Sequence, residues 1–301
     1  RFGVEQRATL RVRGGDEHAD ETPHVVVMTA TPIPRTIGLT LFGDLDISTI
    51  EHLPRGRTPV TTRLVRPDKR GTVYDWVRAR LERGDQAFVV TPAIEPGERT
   101  TRDLRTVLAD LESGELRGAR VAAMHGKLDR AARETIMHRF RTGEIDALVA
   151  TTVVEVGVDV PNASVMVIED ADRFGLAQLH QLRGRVGRGD TPGVCVLIAD
   201  PKTDDARRRL DAMIETTSGF KLAQRDLEIR GPGDVFGTRQ SGMAPLKVAD
   251  PIHDTELLML ARRDAAAWIE ASPELDRPED ALVRRRLLKA HGPWLGLGDV
   301  G

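Results

Sequence analysis

Apolar positions along this chain follow two alternating rhythms. Short runs at 86–91 (QAFVVT), 120–124 (RVAAM), 147–151 (ALVAT), 164–169 (SVMVIE) and 194–199 (VCVLIA) are bounded by polar or turn-forming residues and suit buried strands. Between them lie segments with helical spacing. Val73, Trp76, Val77 and Leu81 mark a helix closed by Gly84, and Leu104, Val107, Leu108 and Leu111 a second. Ile136, Met137 and Phe140 mark a third, with Asp129 placed to cap its start and Gly143 its end. A strand and a helix alternating every ~25 residues predict an α/β fold, a parallel sheet with helices on both faces and ligands at the carboxyl ends of its strands.

Outside this region the rhythm changes. Upstream, 24–30 (HVVVMTA) reads as a buried strand, and the proline- and glycine-rich stretch 54–59 (PRGRTP) as a linker between domains. Beyond Asp200 only helical spacing remains. Leu210, Met213 and Ile214 mark one helix and Phe220, Ala223 and Leu227 another, a hairpin turning at Ser218 and Gly219. A glycine-rich loop, 231–242, separates it from C-terminal helices at 257–269 and 281–288.

Composition adds few constraints. The chain has 301 residues, enough for more than one compact unit, and a net charge of −2, so any nucleic-acid contact comes from a local patch. Its single cysteine, Cys195, rules out a disulfide framework and sits in an apolar run as a small buried residue. No run reaches the ~18 apolar residues of a membrane span, and no signal peptide is legible, so the cytoplasm is the expected location.

Candidate chemistry concentrates at 178–189 (QLHQLRGRVGRG). Leu176, Leu179 and Leu182 give one apolar helix face, while Gly184, Gly187 and Gly189 lower helix propensity where the arginines are densest, predicting a short helix with a loose end. Arg185 and Arg188, three apart, can meet one phosphate group with planar, permanent charges, as an arginine finger does. Taken alone, the same spacing also fits a solvated basic turn.

Other strand ends carry related groups. Thr29 and Thr31 offer hydroxyls, or a plain Thr-Pro turn. Thr151 can donate to a backbone phosphate, and Asp159 can accept from a ribose hydroxyl or serve as a turn carboxylate before Pro161. Gly126 permits close approach of a phosphodiester chain, or simply makes a strand-to-helix turn. No phosphate loop of the form GxxxxGK followed by Ser or Thr occurs, and neither Asp16-Glu17 nor Glu169-Asp170 is expected to bind metal.

In this order the segments resemble superfamily 2 helicases, and within them the C-terminal part of the RecG family of bacterial DNA helicases. MTATPIPRT (28–36), AFVVTPAIE (87–95), MHGKL (124–128), ATTVVEVGVDVPNA (150–163) and QLHQLRGRVGRG (178–189) resemble that superfamily's successive motifs. RFGVEQR (1–7) resembles the sequence that follows the acidic box. Transcription-repair coupling translocases share several of these. LDISTIEHLPRGRTPVTT (45–62) and EIRGPGDVFGTRQSG (228–242) favour RecG, because the translocases carry EEQ where Thr238-Arg239-Gln240 stands here.

The resemblance implies a division into a remnant of a first RecA-like lobe (1–57), a second RecA-like lobe (58–200), a translocation hairpin and loop (201–246) and a helical segment (247–301). It implies catalytic roles for Arg185 and Arg188 with Gln181 in support, a nucleotide-facing role for Gly157 and Asp159, and DNA-backbone contacts from Gly126 and Thr151. Thr29 and Thr31 would couple the ATP site to DNA, and Arg209, Arg230 and Gln240 would couple turnover to duplex movement. The intact family uses ATP and Mg2+, held mainly by a preceding N-terminal lobe that this chain lacks. It acts on branched duplex DNA, reversing stalled forks and migrating Holliday junctions in recombination and repair. The expected chain is therefore monomeric, free of membrane and metal sites, and unable to hydrolyse ATP alone. The rival functions are a coupling-factor translocase lobe and a non-hydrolysing DNA-binding module. A dinucleotide enzyme is disfavoured, because no GxGxxG opens a helix after a strand.

Overall fold

The computed structural model describes residues 58–92, 104–151, 160–231 and 254–295, with 26, 28 and 48–50. The five apolar runs and a sixth, less apolar segment become strands: β1 (Thr61–Val65), β2 (Gln86–Val90), β3 (Val121–Met124), β4 (Ala147–Ala150), β5 (Ala163–Ile168) and β6 (Val194–Ile198). They form one parallel sheet in the order β1-β6-β5-β2-β4-β3. Parallel neighbours cannot be joined by tight turns, so each return needs a crossover. Helices α1 (Arg70–Leu81), α2 (Leu104–Asp110), α3 (Arg130–Arg141) and α4 (Leu176–Arg183) lie within these crossovers. After β6 come α5 (Asp204–Glu215) and α6 (Gly219–Arg230), and then α7 (Thr255–Ala271) and α8 (Ala281–Leu295).

Alternate strand residues face opposite sides of a sheet, which here gives two apolar layers. On one face Phe88, Leu148, Met166 and Leu197 join Phe140 of α3, Leu176 and Leu179 of α4 and Leu210 of α5. On the other, Val89, Val149, Val167 and Val196 meet Tyr74 and Val77 of α1 and Val107 of α2. The Phe88 and Phe140 rings meet edge to face at 4.9 Å. Because both faces are covered, β2, β4 and β5 are buried at every residue, and apart from Gln86 and Ser164 their sequences are apolar without alternation. This is the parallel sheet with helices on both faces that the alternation of strand and helix predicts.

Local signals are realised in detail. The Asp129 carboxylate accepts from Ala132 N at 2.7 Å and caps α3. Gly143, just past its end, adopts φ +77°, where a side chain would be strained. Thr203 caps α5 and Ser218 caps α6, making the expected hairpin.

Three expectations differ. Trp76 is 36% exposed beneath the Arg80 guanidinium, and Tyr74 takes the fully buried place on α1. After α2 the chain widens into a π-helical turn, Leu111–Glu115, that brings both Leu111 and Leu116 into the core. Val26 and Met28 are exposed and outside any strand, so no buried strand forms at those two residues of 24–30. Residues 254–295 belong to a separate compact unit, in which Trp268 Nε1 donates to Asp280 Oδ1 at 2.6 Å.

Candidate nucleotide and DNA contact sites

Helix α4 carries the arginine-rich segment. Leu176, Leu179 and Leu182 are buried as their spacing predicts, and Gln178 Oε1 accepts from Gly175 N at 3.0 Å to close the helix start. The segment after α4 is tightly held, contrary to the loose end expected from its glycines. Val186 is fully buried, and Gly187, at φ +70°, donates its N–H to Ala163 O at 3.1 Å. A Cβ on Gly187 would stand 2.9 Å from Gly193 N, and one on Gly189 2.5 Å from Pro161 O. These glycines allow backbone to press on backbone rather than loosening the chain.

The candidate catalytic residues come together on this segment. Gln181 is exposed, Arg185 half-buried and Arg188 exposed, with Arg188 Nε donating to Gly184 O at 3.2 Å. Burial, followed by the like charge of Arg188, holds the Arg185 guanidinium below its ordinary pKa. A half-buried cation beside a second like charge forms a site that an anion relieves.

Arg183, part of the same basic run, does something else. It is 3% exposed and spends its donors inside the protein. Its Nη1 reaches Met213 O at 2.8 Å, Thr216 O at 3.0 Å and Thr62 Oγ1 at 3.2 Å, and its Nη2 lies 3.2 Å from His180 Nδ1. No local signal in the sequence separates it from Arg185 and Arg188.

Ala163 and Val194 open their strands, so the loop that carries Arg185 and Arg188 runs along the amino-terminal edge of the sheet. This corrects the expectation that ligand-binding groups gather at the carboxyl ends. The DNA-contact candidates do lie at that end. Met124 pairs with Ala150, which brings His125-Gly126 and Thr151 side by side, and Thr151 N donates to Met124 O at 3.3 Å. Gly126 is exposed and Thr151 half-buried. Beside them, Thr91 Oγ1 and His125 Nδ1 are buried with no hydrogen-bond partner. Thr91 was not singled out from sequence, since a threonine ending a strand carries no distinctive signal.

The coupling candidates attach to α4 from the hairpin. Arg209 Nη2 donates to Asp172 O at 3.0 Å, in the 3-10 turn Ala171–Arg173 that leads to the helix. Arg230 pairs with Asp226 at 3.1 Å and places Nη2 3.3 Å from where a Cβ on Gly175 would be. Thr29, Thr31, Gly157, Asp159 and Gln240 lie outside the described residues.

Glu169 is committed to the fold. Its Oε1 accepts from Arg70 Nε at 2.8 Å and Tyr74 Oη at 2.7 Å, and Arg70 also pairs with Glu115. Burial opposes the Arg70 charge, yet Glu169, Tyr74 and Glu115 together outweigh it and raise the Arg70 pKa; burial and then Glu169 push the Tyr74 hydroxyl well up. Among the described residues no group of three metal-ligating side chains forms, and no helix is long and apolar enough to cross a membrane.

Comparison with known proteins places this geometry in context. Residues 68–190 match the helicase conserved C-terminal domain, and residues 216–292 match the C-terminal part of domain 3 of ATP-dependent DNA helicase RecG. The chain is 46% identical over 294 residues to the RecG of Bacillus subtilis, covering 96% of this chain and 42% of that protein. It is 45% identical over 292 residues to the RecG of Streptococcus pneumoniae, with the same coverage of 96% and 42%. A solved structure of RecG bound to a three-way DNA junction is similar with TM-score 0.64 and 43% identity, over 79% of this chain and 31% of that one. The chain thus spans about two fifths of the length of these curated relatives.

Proposed function

Because the chain belongs to the RecG family of ATP-dependent DNA helicases, matching the C-terminal part of its members, we propose that it works as the second motor lobe of a DNA helicase. In this reading a first lobe cradles ATP, and residues 58–200 close over the triphosphate from the other side. The observation that carries it is the Arg185 and Arg188 pair, held on a pinned loop with no carboxylate paired to Arg185 among the described residues. When the terminal phosphoryl group leaves, negative charge grows on its oxygens, and planar guanidinium donors stabilise it; such fingers are worth about three to five powers of ten in rate. Gln181, exposed one turn before Arg185, supports them. Gly157 and Asp159 face the nucleotide sugar. Mg2+ neutralises phosphate charge when ATP binds, and its ligands belong to the first lobe.

At the opposite edge, Gly126 and Thr151 hold the phosphodiester backbone, and Thr29 and Thr31 link the two sites. The hairpin and loop of 201–246, through Arg209, Arg230 and Gln240, convert turnover into movement of duplex DNA. Residues 1–57 complete the first lobe, and 247–301 form a helical extension. The substrate class is branched duplex DNA, such as forks and Holliday junctions, acted on in the cytoplasm by a monomer. The solved relative, RecG bound to a three-way DNA junction, supports that choice.

The test compares DNA-stimulated ATP turnover by the 301 residues alone and by a two-lobe protein carrying the phosphate loop. Turnover is expected only in the second, and only with Arg188 intact. Duplex DNA binding by both forms with turnover by neither would instead make the chain a DNA-binding module.

A further inference from the structure

We infer that Arg183 is a positioning residue for the arginine pair, anchoring the finger loop to the end of the hairpin helix α5. The inference rests on the proposed function, since it assigns what holds the fingers rather than whether they act.

The geometry begins with unsatisfied carbonyls. The last turn of any helix leaves C=O groups without intrahelical donors, and the aligned peptide dipoles make that end negative. At the end of α5 these are the carbonyls of Met213 and Thr216, and Arg183 Nη1 donates to both. The same nitrogen reaches Thr62 Oγ1 on β1, and Nη2 meets His180 one turn back on α4. One buried guanidinium therefore ties together the end of α4, the end of α5 and an edge strand. Its charge is met by dipoles rather than by a carboxylate, and burial lowers its pKa.

Two residues later the chain presents Arg185, and five later Arg188. With Val186 buried and Gly187 pressed on Gly193, little slack separates anchor from fingers. The hairpin thus grips α4 at both ends. Arg209 holds the approach to its start through Asp172, Arg230 lies beside Gly175, and Arg183 holds its finish. Any shift of α5 against the sheet is passed to the fingers directly, without crossing the length of α4.

Arginine suits this place because it offers five donors in a rigid plane, whereas lysine offers three from one point. Arg183→Met removes every donor at similar length, and Arg183→Lys keeps the charge with fewer bonds. Both are tested in the two-lobe protein, with Arg188→Ala as reference. The readouts are kcat and KM for ATP, and affinity for ADP with and without aluminium fluoride, the latter mimicking the transferring phosphoryl group. Arg183→Met is expected to lower kcat on the order of 10²-fold, as a displaced catalytic group does, with KM within ~3-fold. Its affinity should fall for ADP with aluminium fluoride and hold for ADP alone, with Arg183→Lys between it and the parent.

A folded Arg183→Met with parental kcat overturns the inference, and so do equal losses of affinity for both ligands, which mark general damage. If Arg183→Met does not fold, Arg183→Lys decides, and parental kcat in that variant overturns the inference too. An unimpaired Arg188→Ala would sink the finger reading itself, whereas an impaired Arg188→Ala beside an unimpaired Arg183→Met sinks only the anchor.

Discussion

Replacing Gly187 with alanine tests whether the finger loop is held by contact of backbone on backbone. Two separable costs arise. Gly187 sits at φ +70°, and an L-residue in that left-handed region costs about 1–2 kcal/mol. The added Cβ would also stand 2.9 Å from Gly193 N and 3.0 Å from Gly193 Cα, backbone atoms that cannot swing aside. Forcing extra volume into a packed site costs ~1–3 kcal/mol, so Gly187→Ala should lose about 2–5 kcal/mol. Two other glycines separate the costs. Gly143→Ala, at φ +77° with nothing within 4 Å, should show only the backbone cost, ~1–2 kcal/mol. Gly189→Ala needs no left-handed backbone, but its Cβ would meet Pro161 O at 2.5 Å, so it should show only the steric cost of about 1–3 kcal/mol. Urea unfolding followed by circular dichroism reads all three. With a slope of ~2 kcal/mol per molar, Gly187→Ala should lower the midpoint by roughly 1–2.5 M and Gly143→Ala by less than ~1 M. Equal midpoints for Gly187→Ala and Gly143→Ala would show that the close approach to Gly193 costs nothing, and the rigid finger loop would fall with it.

Other outcomes follow from the same geometry. In the two-lobe protein, Arg188→Ala should cut ATP turnover by about three to five powers of ten with DNA affinity within ~2-fold; matching losses would place the residue on DNA. Arg230→Ala should leave DNA-stimulated ATPase near the parent value while fork reversal disappears, and parallel loss would reduce the hairpin to scaffolding. Cys195, pushed up to about 12 by burial, should resist thiol reagents until the chain unfolds, and rapid modification of the native chain would contradict its place under α4. Since the folded thiol ionises later than the unfolded one, its contribution to stability is complete below pH ~9 and lost as pH rises towards 12, so alkaline melts should fall less in Cys195→Ala.

Much of the sheet could be read directly from the chain, because strands buried on both faces must be apolar throughout and helices between them must be amphipathic. Asp129 and Gly143 marked both ends of α3 for the same local reasons that govern isolated helices. β1 was harder to see. It is an edge strand, TTRLV, whose partial exposure dilutes the apolar signal. Tyr74 was passed over for Trp76 because hydrophobic spacing does not reveal that a buried Glu169 awaits a phenol hydroxyl 95 residues earlier in sequence. The arginine cluster was legible as chemistry but not as geometry. Nothing local distinguishes Arg183, turned towards the carbonyls of α5, from Arg185 and Arg188, and nothing local shows that glycines beside them meet Pro161 and Gly193.

The sheet also sets the distance over which the two candidate sites must communicate. The finger loop lies below β5 and β6, and the Gly126 and Thr151 pair above β3 and β4, at opposite corners. A rise of ~3.3 Å per residue and ~4.8 Å between strands put them about 20–25 Å apart. A small molecule wedged against the arginines would leave the other corner open to nucleic acid. Inhibitors aimed at the two corners should therefore add to one another's effect instead of competing for one place.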